Sequence, residues 1–105
     1  MAGMKKDFIK IGHLKYEVIH EDRPVADNQL CRGTISWRDL EIALDTTLKP
    51  PVLLQTLLHE VTHAIDDQYN LGLTENQIDN LASGWAQVLI DNPEIMMKFI
   101  NPCLE

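Results

Sequence analysis

The sequence predicts an α+β fold in which a small, mostly antiparallel sheet from the N-terminal half packs against three helices from the C-terminal half. Three observations carry that expectation. Up to Leu44, apolar residues alternate with polar ones in short runs, the period of half-buried strands. After Pro50 they recur every three or four positions, the period of a helix. The second half is also punctuated by helix boundary signals: "PP" at 50–51, "TENQ" at 74–77 and "NP" at 92–93.

The elements follow in order. "FIKIGHLKYEVIH", residues 8–20, divides at Gly12-His13 into two apolar-rich runs, and Leu14, Tyr16 and Val18 alternate with Lys15 and Glu17. That pattern predicts a hairpin with His13 in the turn. "EDRPVADNQ", residues 21–29, is polar and reads as a loop. "GTISWRDLEIAL", residues 33–44, predicts a second hairpin that bends at Arg38-Asp39. Pro50 and Pro51 suit a first helical turn, whose N–H groups have no partner inside the helix. Leu54, Leu57, Leu58, Val61 and Ile65 give that helix an apolar stripe ending near Asn70 to Gly72. Thr74 with Gln77 is a capping box opening a second helix, with Ile78, Leu81, Ala82, Trp85, Val88 and Leu89 as its apolar stripe. Trp37 and Trp85 are accordingly expected in the core. Asn92-Pro93 ends the second helix and starts a short third one, Glu94 to Ile100, which stops before Pro102.

A chain of 105 residues is expected to form one domain, 1–105, with a single core. No apolar run is long enough to cross a membrane, and the first ten residues lack the apolar segment of a secretory signal. Cys31 and Cys103 are the only cysteines and lie far apart, so a reduced cytoplasmic setting is expected. Charge is uneven. Between Pro50 and Met97 there is no Lys or Arg but there are seven acids, while nine acids meet nine bases elsewhere, so the whole net charge of −7 lies in the helical half. That half would repel nucleic acid, and it suits either a solvated acidic face or a cation site.

Within it stands "HEVTH", residues 59–63. Residues four apart on a helix are offset by only about 40° around the axis and about 6 Å along it. His59 and His63 therefore share a face and can converge on one tetrahedral Zn²⁺. Glu60, turned about 100° from His59, stands beside such a metal and not on it. There it can take a proton from a metal-activated water and deliver it to a leaving amine. The bland alternative is two surface histidines on an amphipathic helix.

A catalytic zinc takes three protein ligands and keeps one position open. A third histidine six residues after His63 is missing, since position 69 is Tyr69. The other histidines, His13 and His20, fall on the strand half. "TENQID", residues 74–79, offers Glu75 and Asp79 four apart on the second helix. One carboxylate can bind the metal while the other takes the remaining N–H of a ligating histidine. Geometry leaves their order open. The first helix runs about 9 Å beyond His63, so a strictly antiparallel partner would set Asp79 level with it, whereas a crossing angle and glutamate's longer reach favour Glu75.

HExxH followed by a helix bearing ExxxD resembles the gluzincin branch of the zinc metallopeptidases. "ENQIDNLASGWAQVL" is similar to the signature that follows HExxH in the ImmA/IrrE-type peptidases, many of them phage-associated, with Ile78 where that signature has Ala. The resemblance spans about residues 33 to 93, and the length resembles that of minimal gluzincins. It implies a zincin-like metallopeptidase domain in which His59, His63 and Glu75 bind Zn²⁺, Glu60 is the general acid/base and Asp79 orients a ligating histidine. It also implies a polypeptide substrate, and an exposed strand edge, for which "LEIAL" at 40–44 is the first choice, would hold that substrate extended. The rival expectation is a catalytically silent or latent zinc-binding regulator, phage-associated and paired with a regulatory protein partner.

Remaining residues are weighed against simpler roles. Tyr69 and His20 are candidate hydrogen-bond donors to the transition state; packing is the plainer role for Tyr69. Asp66 and Asp67 read as a solvated helix end. A Cys103–Glu105 tail, extended beyond Pro102, would be able to carry a thiol to the metal's open position.

Overall fold

A computed structural model describes residues 6–22, 25, 26, 29, 30 and 32–105. It is a small compact α+β structure in which a four-stranded mixed sheet packs against the first of three helices.

β1 (Asp7–Ile11) and β2 (Leu14–Glu21) form the expected hairpin, Ile11 opposite Leu14. Its turn depends on Gly12, which takes a left-handed φ of 59° under the Gln68 side chain, where a Cβ would collide with the amide oxygen. Gln68 joins this turn to the helical half, accepting from the His13 N–H at 3.2 Å and donating to the Ile11 carbonyl at 2.6 Å. The stretch expected as a plain loop contains two short strands, β3 (Val25–Ala26) and β4 (Gln29–Leu30), paired with each other in a separate ribbon. Cys31 lies outside the described residues. β5 (Gly33–Ser36) and β6 (Glu41–Asp45) form the second expected hairpin.

The strand order is β1-β2-β6-β5, and β2 pairs with β6 in parallel. Two of the three pairings are antiparallel; the parallel one arises because β5 runs the chain back on the far side of the sheet, so that β6 returns in the direction of β2 and fits between them. β6 is central, which explains why Ile42, Ala43, Leu44 and Asp45 are all buried, on both faces. The edge position expected for "LEIAL" is therefore corrected. Its hydrogen-bonding edges are taken by β2 and β5, and β5 is the edge strand on that side.

α1 (Pro50–Tyr69) lies across the sheet, and Ile11, Tyr16, Ile42, Leu44 and Ala64 form the core with Leu53, Leu57 and Val61 packed on it. The buried line of α1 is Thr56, Glu60 and Ala64, while Ile65, expected in the stripe, is exposed. Gly33 explains how closely β5 approaches α1: a Cβ there would sit 2.8 Å from Thr56 Cγ2 and 3.1 Å from the Ala43 carbonyl oxygen.

α1 ends where Asn70 turns left-handed (φ 55°) and donates its N–H to the Asp66 carbonyl. α2 (Glu75–Asp91) starts at the predicted capping box, with Gln77 N–H donating to Thr74 Oγ1 and Thr74 N–H to Gln77 Oε1. Its buried residues are Ile78, Ala82 and Ala86. Trp85 is 52% exposed and Trp37 45%, so neither is in the core. Two helices approach closely along small side chains, and that contact displaced the larger Leu81, Trp85 and Val88 to the outside.

α3 (Pro93–Ile100) forms as expected and buries none of its residues. The extended tail is corrected. The backbone continues as a 3₁₀ turn, Asn101–Leu104, with Pro102 in its first turn where an N–H is dispensable. The Cys103 thiol is exposed and donates back to the Phe99 carbonyl in the last turn of α3, at 3.5 Å. Among the described residues, no helix is long and apolar enough to cross a membrane.

Candidate metal centre

Proximity of His59 to His63 is dictated by helix spacing: their ring centroids are 4.9 Å apart. α2 then brings two carboxylates to the same face. Glu75 Oε1 lies 2.7 Å from His59 Nε2, and Glu75 Oε2 lies 3.1 Å from His63 Nε2. Asp79 Oδ1 lies 3.1 Å from His59 Nδ1 and accepts from Gln55 Nε2 at 3.1 Å. Gln55 also donates to Ser83 Oγ at 3.4 Å. The ladder 63–75, 59–75, 59–79, 55–79, 55–83 marks two antiparallel helices with the four-residue repeat of each face to face.

The connector resolves the order of the two carboxylates. Residues 71–74 are neither helical nor paired in a sheet, and the Leu73 N–H already donates to Asp66 Oδ1 at 2.9 Å. The connector thus takes up most of the rise beyond His63 before α2 begins. Glu75, at the first position of α2, arrives level with both histidines, and Asp79 falls one turn further on, beside His59. Asp66, expected as a solvated helix end, is the brace of this connector; Asp67 is exposed as expected.

His59 faces a carboxylate at each ring nitrogen. A neutral imidazole has one N–H and an ionised carboxylate only accepts. With Nδ1–H donated to Asp79, the Nε2 lone pair points at Glu75 unless a proton or a cation stands between them. His59, His63 and Glu75 each offer one atom within 4.8 Å of the others, so the group can hold a metal ion. Two imidazoles and one carboxylate, with a carboxylate behind one imidazole, are a donor set that fits zinc.

Glu60 is 6% exposed and faces the sheet, more deeply placed than its expected position beside the histidines on a polar face. Burial pushes its carboxyl above the ordinary glutamate value; His59 and His63 pull it down and Glu75 pushes it up again. It shares with His59, Asp79, Gln55, Thr56, Gly33 and Arg32 a cleft of about 310 Å³.

Tyr69 and His20 are not brought to this cleft. Tyr69 is 62% exposed beyond the end of the site, neither packed nor among the cleft-lining residues. His20 lies on the opposite flank of α1, 3.5 Å from Asp7 Oδ2, in a second, apolar cavity lined by Leu53, Leu54 and Leu57. Gln55, Gly33 and Arg32 were not singled out from sequence. Gln55 precedes His59 by four residues, which places it on the same face; nothing local signals the other two. No protein-family model, curated protein or solved structure matches the chain.

Proposed function

We propose that the chain is a zinc-dependent metallopeptidase of zincin-like architecture, with His59, His63 and Glu75 as zinc ligands and Glu60 as general acid/base. The observation that carries the reading is the double engagement of His59: Nδ1 on Asp79 and Nε2 aimed at Glu75, next to the Nε2 of His63. An exposed acidic cluster has no need of an outer carboxylate that fixes which ring nitrogen stays bare. When bound, zinc would supply the Lewis acidity that polarises a scissile carbonyl and activates water. Glu60 stands one residue from the first ligand, in the same cleft, and its burial favours a carboxyl that both accepts and returns a proton. Asp79 holds the His59 ring, and Gln55 holds Asp79. The outer edge of β5, unpaired among the described residues and with Gly33 lining the cleft, is the place for an extended polypeptide to pair by its backbone. The cytoplasm as its compartment and an association with phage rest on the sequence alone.

One observation favours a second reading, a catalytically silent or latent zinc-binding regulator that acts on a protein partner. Neither Tyr69 nor His20, the two candidate transition-state donors, lies in the cleft. One experiment separates the two. Zinc-loaded wild type and Glu60→Gln are incubated with a set of unfolded polypeptides, and zinc content is measured in parallel. The peptidase reading expects about one zinc per chain in both proteins and cleavage by wild type only. Cleavage by neither selects the regulator, and equal cleavage by both rejects Glu60 as the base.

A further inference from the structure

We propose that Arg32 is a specificity-determining residue that receives a carboxylate of the substrate; the inference rests on the peptidase reading above. Arg32 comes from the sheet half of the molecule. Its carbonyl accepts from the Asp45 N–H at 2.8 Å, which ties its main chain to the end of β6 just before β5 begins. From that fixed point the residue lines the cleft that contains His59, Glu60 and Asp79. Its side chain is exposed and, among the described residues, makes no ion pair or hydrogen bond. The guanidinium is therefore committed to neither Glu60 nor Asp79, although all three share one cleft.

The surroundings give this charge its meaning. No Lys or Arg occurs between Pro50 and Met97, so α1 and α2 contribute only acids and neutral groups to the cleft. Of the residues lining it, Arg32 alone is a permanent cation. Away from the metal, a substrate carboxylate is repelled by Glu60 and Asp79 and is attracted at this one corner of the cleft. Guanidinium presents a planar fork of donors that matches a carboxylate. An extended chain paired along β5 passes Gly33, the strand's first residue, and arrives at Arg32 just before it. The carboxylate can belong to an Asp or Glu side chain or to a free C-terminus, and the two are separable by experiment.

The probes are short peptides carrying a hydroxamate, a zinc-binding group, with Glu or Gln at the neighbouring position and with a free or an amidated C-terminus. Their dissociation constants are measured by calorimetry on the zinc-loaded full chain, as wild type, Arg32→Ala and Arg32→Glu. At low salt a probe with the recognised carboxylate binds wild type about tenfold more tightly than its neutral twin. Salt shrinks that advantage, as it does for an exposed charge. Arg32→Ala abolishes the advantage and Arg32→Glu reverses it, while the fully neutral probe binds all three proteins alike. An advantage that follows Glu over Gln identifies a side-chain carboxylate, and one that follows the free over the amidated end identifies the terminus. Equal binding of all probes to wild type, or an unchanged preference in Arg32→Ala, overturns the role of Arg32 and leaves the metal site standing. Failure of every hydroxamate to bind the zinc-loaded chain overturns the peptidase reading and this inference with it. The substitutions spare the fold because the tie to β6 is made by the main chain.

Discussion

Replacing Asp79 by alanine should weaken zinc binding about tenfold without emptying the site. The carboxylate makes two hydrogen bonds through Oδ1, one to His59 Nδ1 and one to Gln55 Nε2, both 3.1 Å long. A hydrogen bond to a charged group contributes about 1.5–3 kcal/mol. Asp79 is 56% exposed, so solvent screens it and the lower end applies. About 1.4 kcal/mol is a factor of ten in affinity. That value lies at the lower edge of the 10–100-fold range usual for partners behind a metal ligand, roughly where a half-exposed one belongs. Asp79→Asn keeps an oxygen for His59 and loses the charge, so its effect should be smaller. Glu75→Ala removes the carboxylate that faces both Nε2 atoms and should cost most of the affinity. Competition against a chromogenic chelator gives the constants, with circular dichroism to check that each variant is folded. An Asp79→Ala protein emptier of zinc than Glu75→Ala would reverse the roles of the two carboxylates. Unchanged affinity would make the His59–Asp79 contact a bystander.

Two further predictions concern stability. Glu60 has a folded-state pKa raised by burial, so its contribution to stability is fully present below its unfolded pKa and is lost as pH rises through the raised value. In metal-free protein, Glu60→Gln should therefore be more stable than wild type at neutral pH, with the gap closing below the ordinary glutamate range; urea midpoints that differ equally at both pH values would refute this. Tyr16 is fully buried and, among the described residues, its hydroxyl has no hydrogen-bond partner. Tyr16→Phe keeps the packing and removes that desolvated group, so it should stabilise by about 1 kcal/mol, roughly 4 °C in melting temperature, and a lower melting temperature would show that the hydroxyl is satisfied in solution.

What was legible in the sequence is local. Both hairpins, the Pro50 start, the Thr74–Gln77 capping box and the Asn92-Pro93 break are set by neighbouring residues, and all appear where their signals stand. The shared face of His59 and His63 is helix geometry and was equally readable. Whatever depends on how elements meet was not. The parallel β2–β6 pairing comes from β5 entering the sheet first as the outer, returning strand, which leaves β6 interior and β5 at the edge. On α2, hydrophobicity picked out Ile78 and Ala82, which are buried, but also Trp85, where closeness to α1 selected Ala86 instead. The level of Glu75 against the histidines was undetermined until the connector, with Leu73 bonded to Asp66, fixed where α2 starts. Arg32 had no signal because, Gly33 apart, the other residues lining the cleft lie more than twenty positions away.

The make-up of the seam between α1 and α2 has a consequence for how the protein ripens. Apart from Ile78, the buried side of α2 consists of alanines, so little apolar area holds the second helix to the first. Three carboxylates, Glu60, Glu75 and Asp79, gather at the same seam and repel one another. A cation seated between Glu75 and the two histidines reverses that balance, because its ligands lie on both helices. Binding then adds to folding free energy by mass action, about 4 kcal/mol when free metal is a thousand times the dissociation constant. The α1–α2 pair would then behave as a clasp that closes on the ion. Freshly made chain without metal would hold α2 and the unpacked α3 loosely, the part of the molecule most open to proteolysis, and acquiring the ion would mark the moment at which it becomes durable.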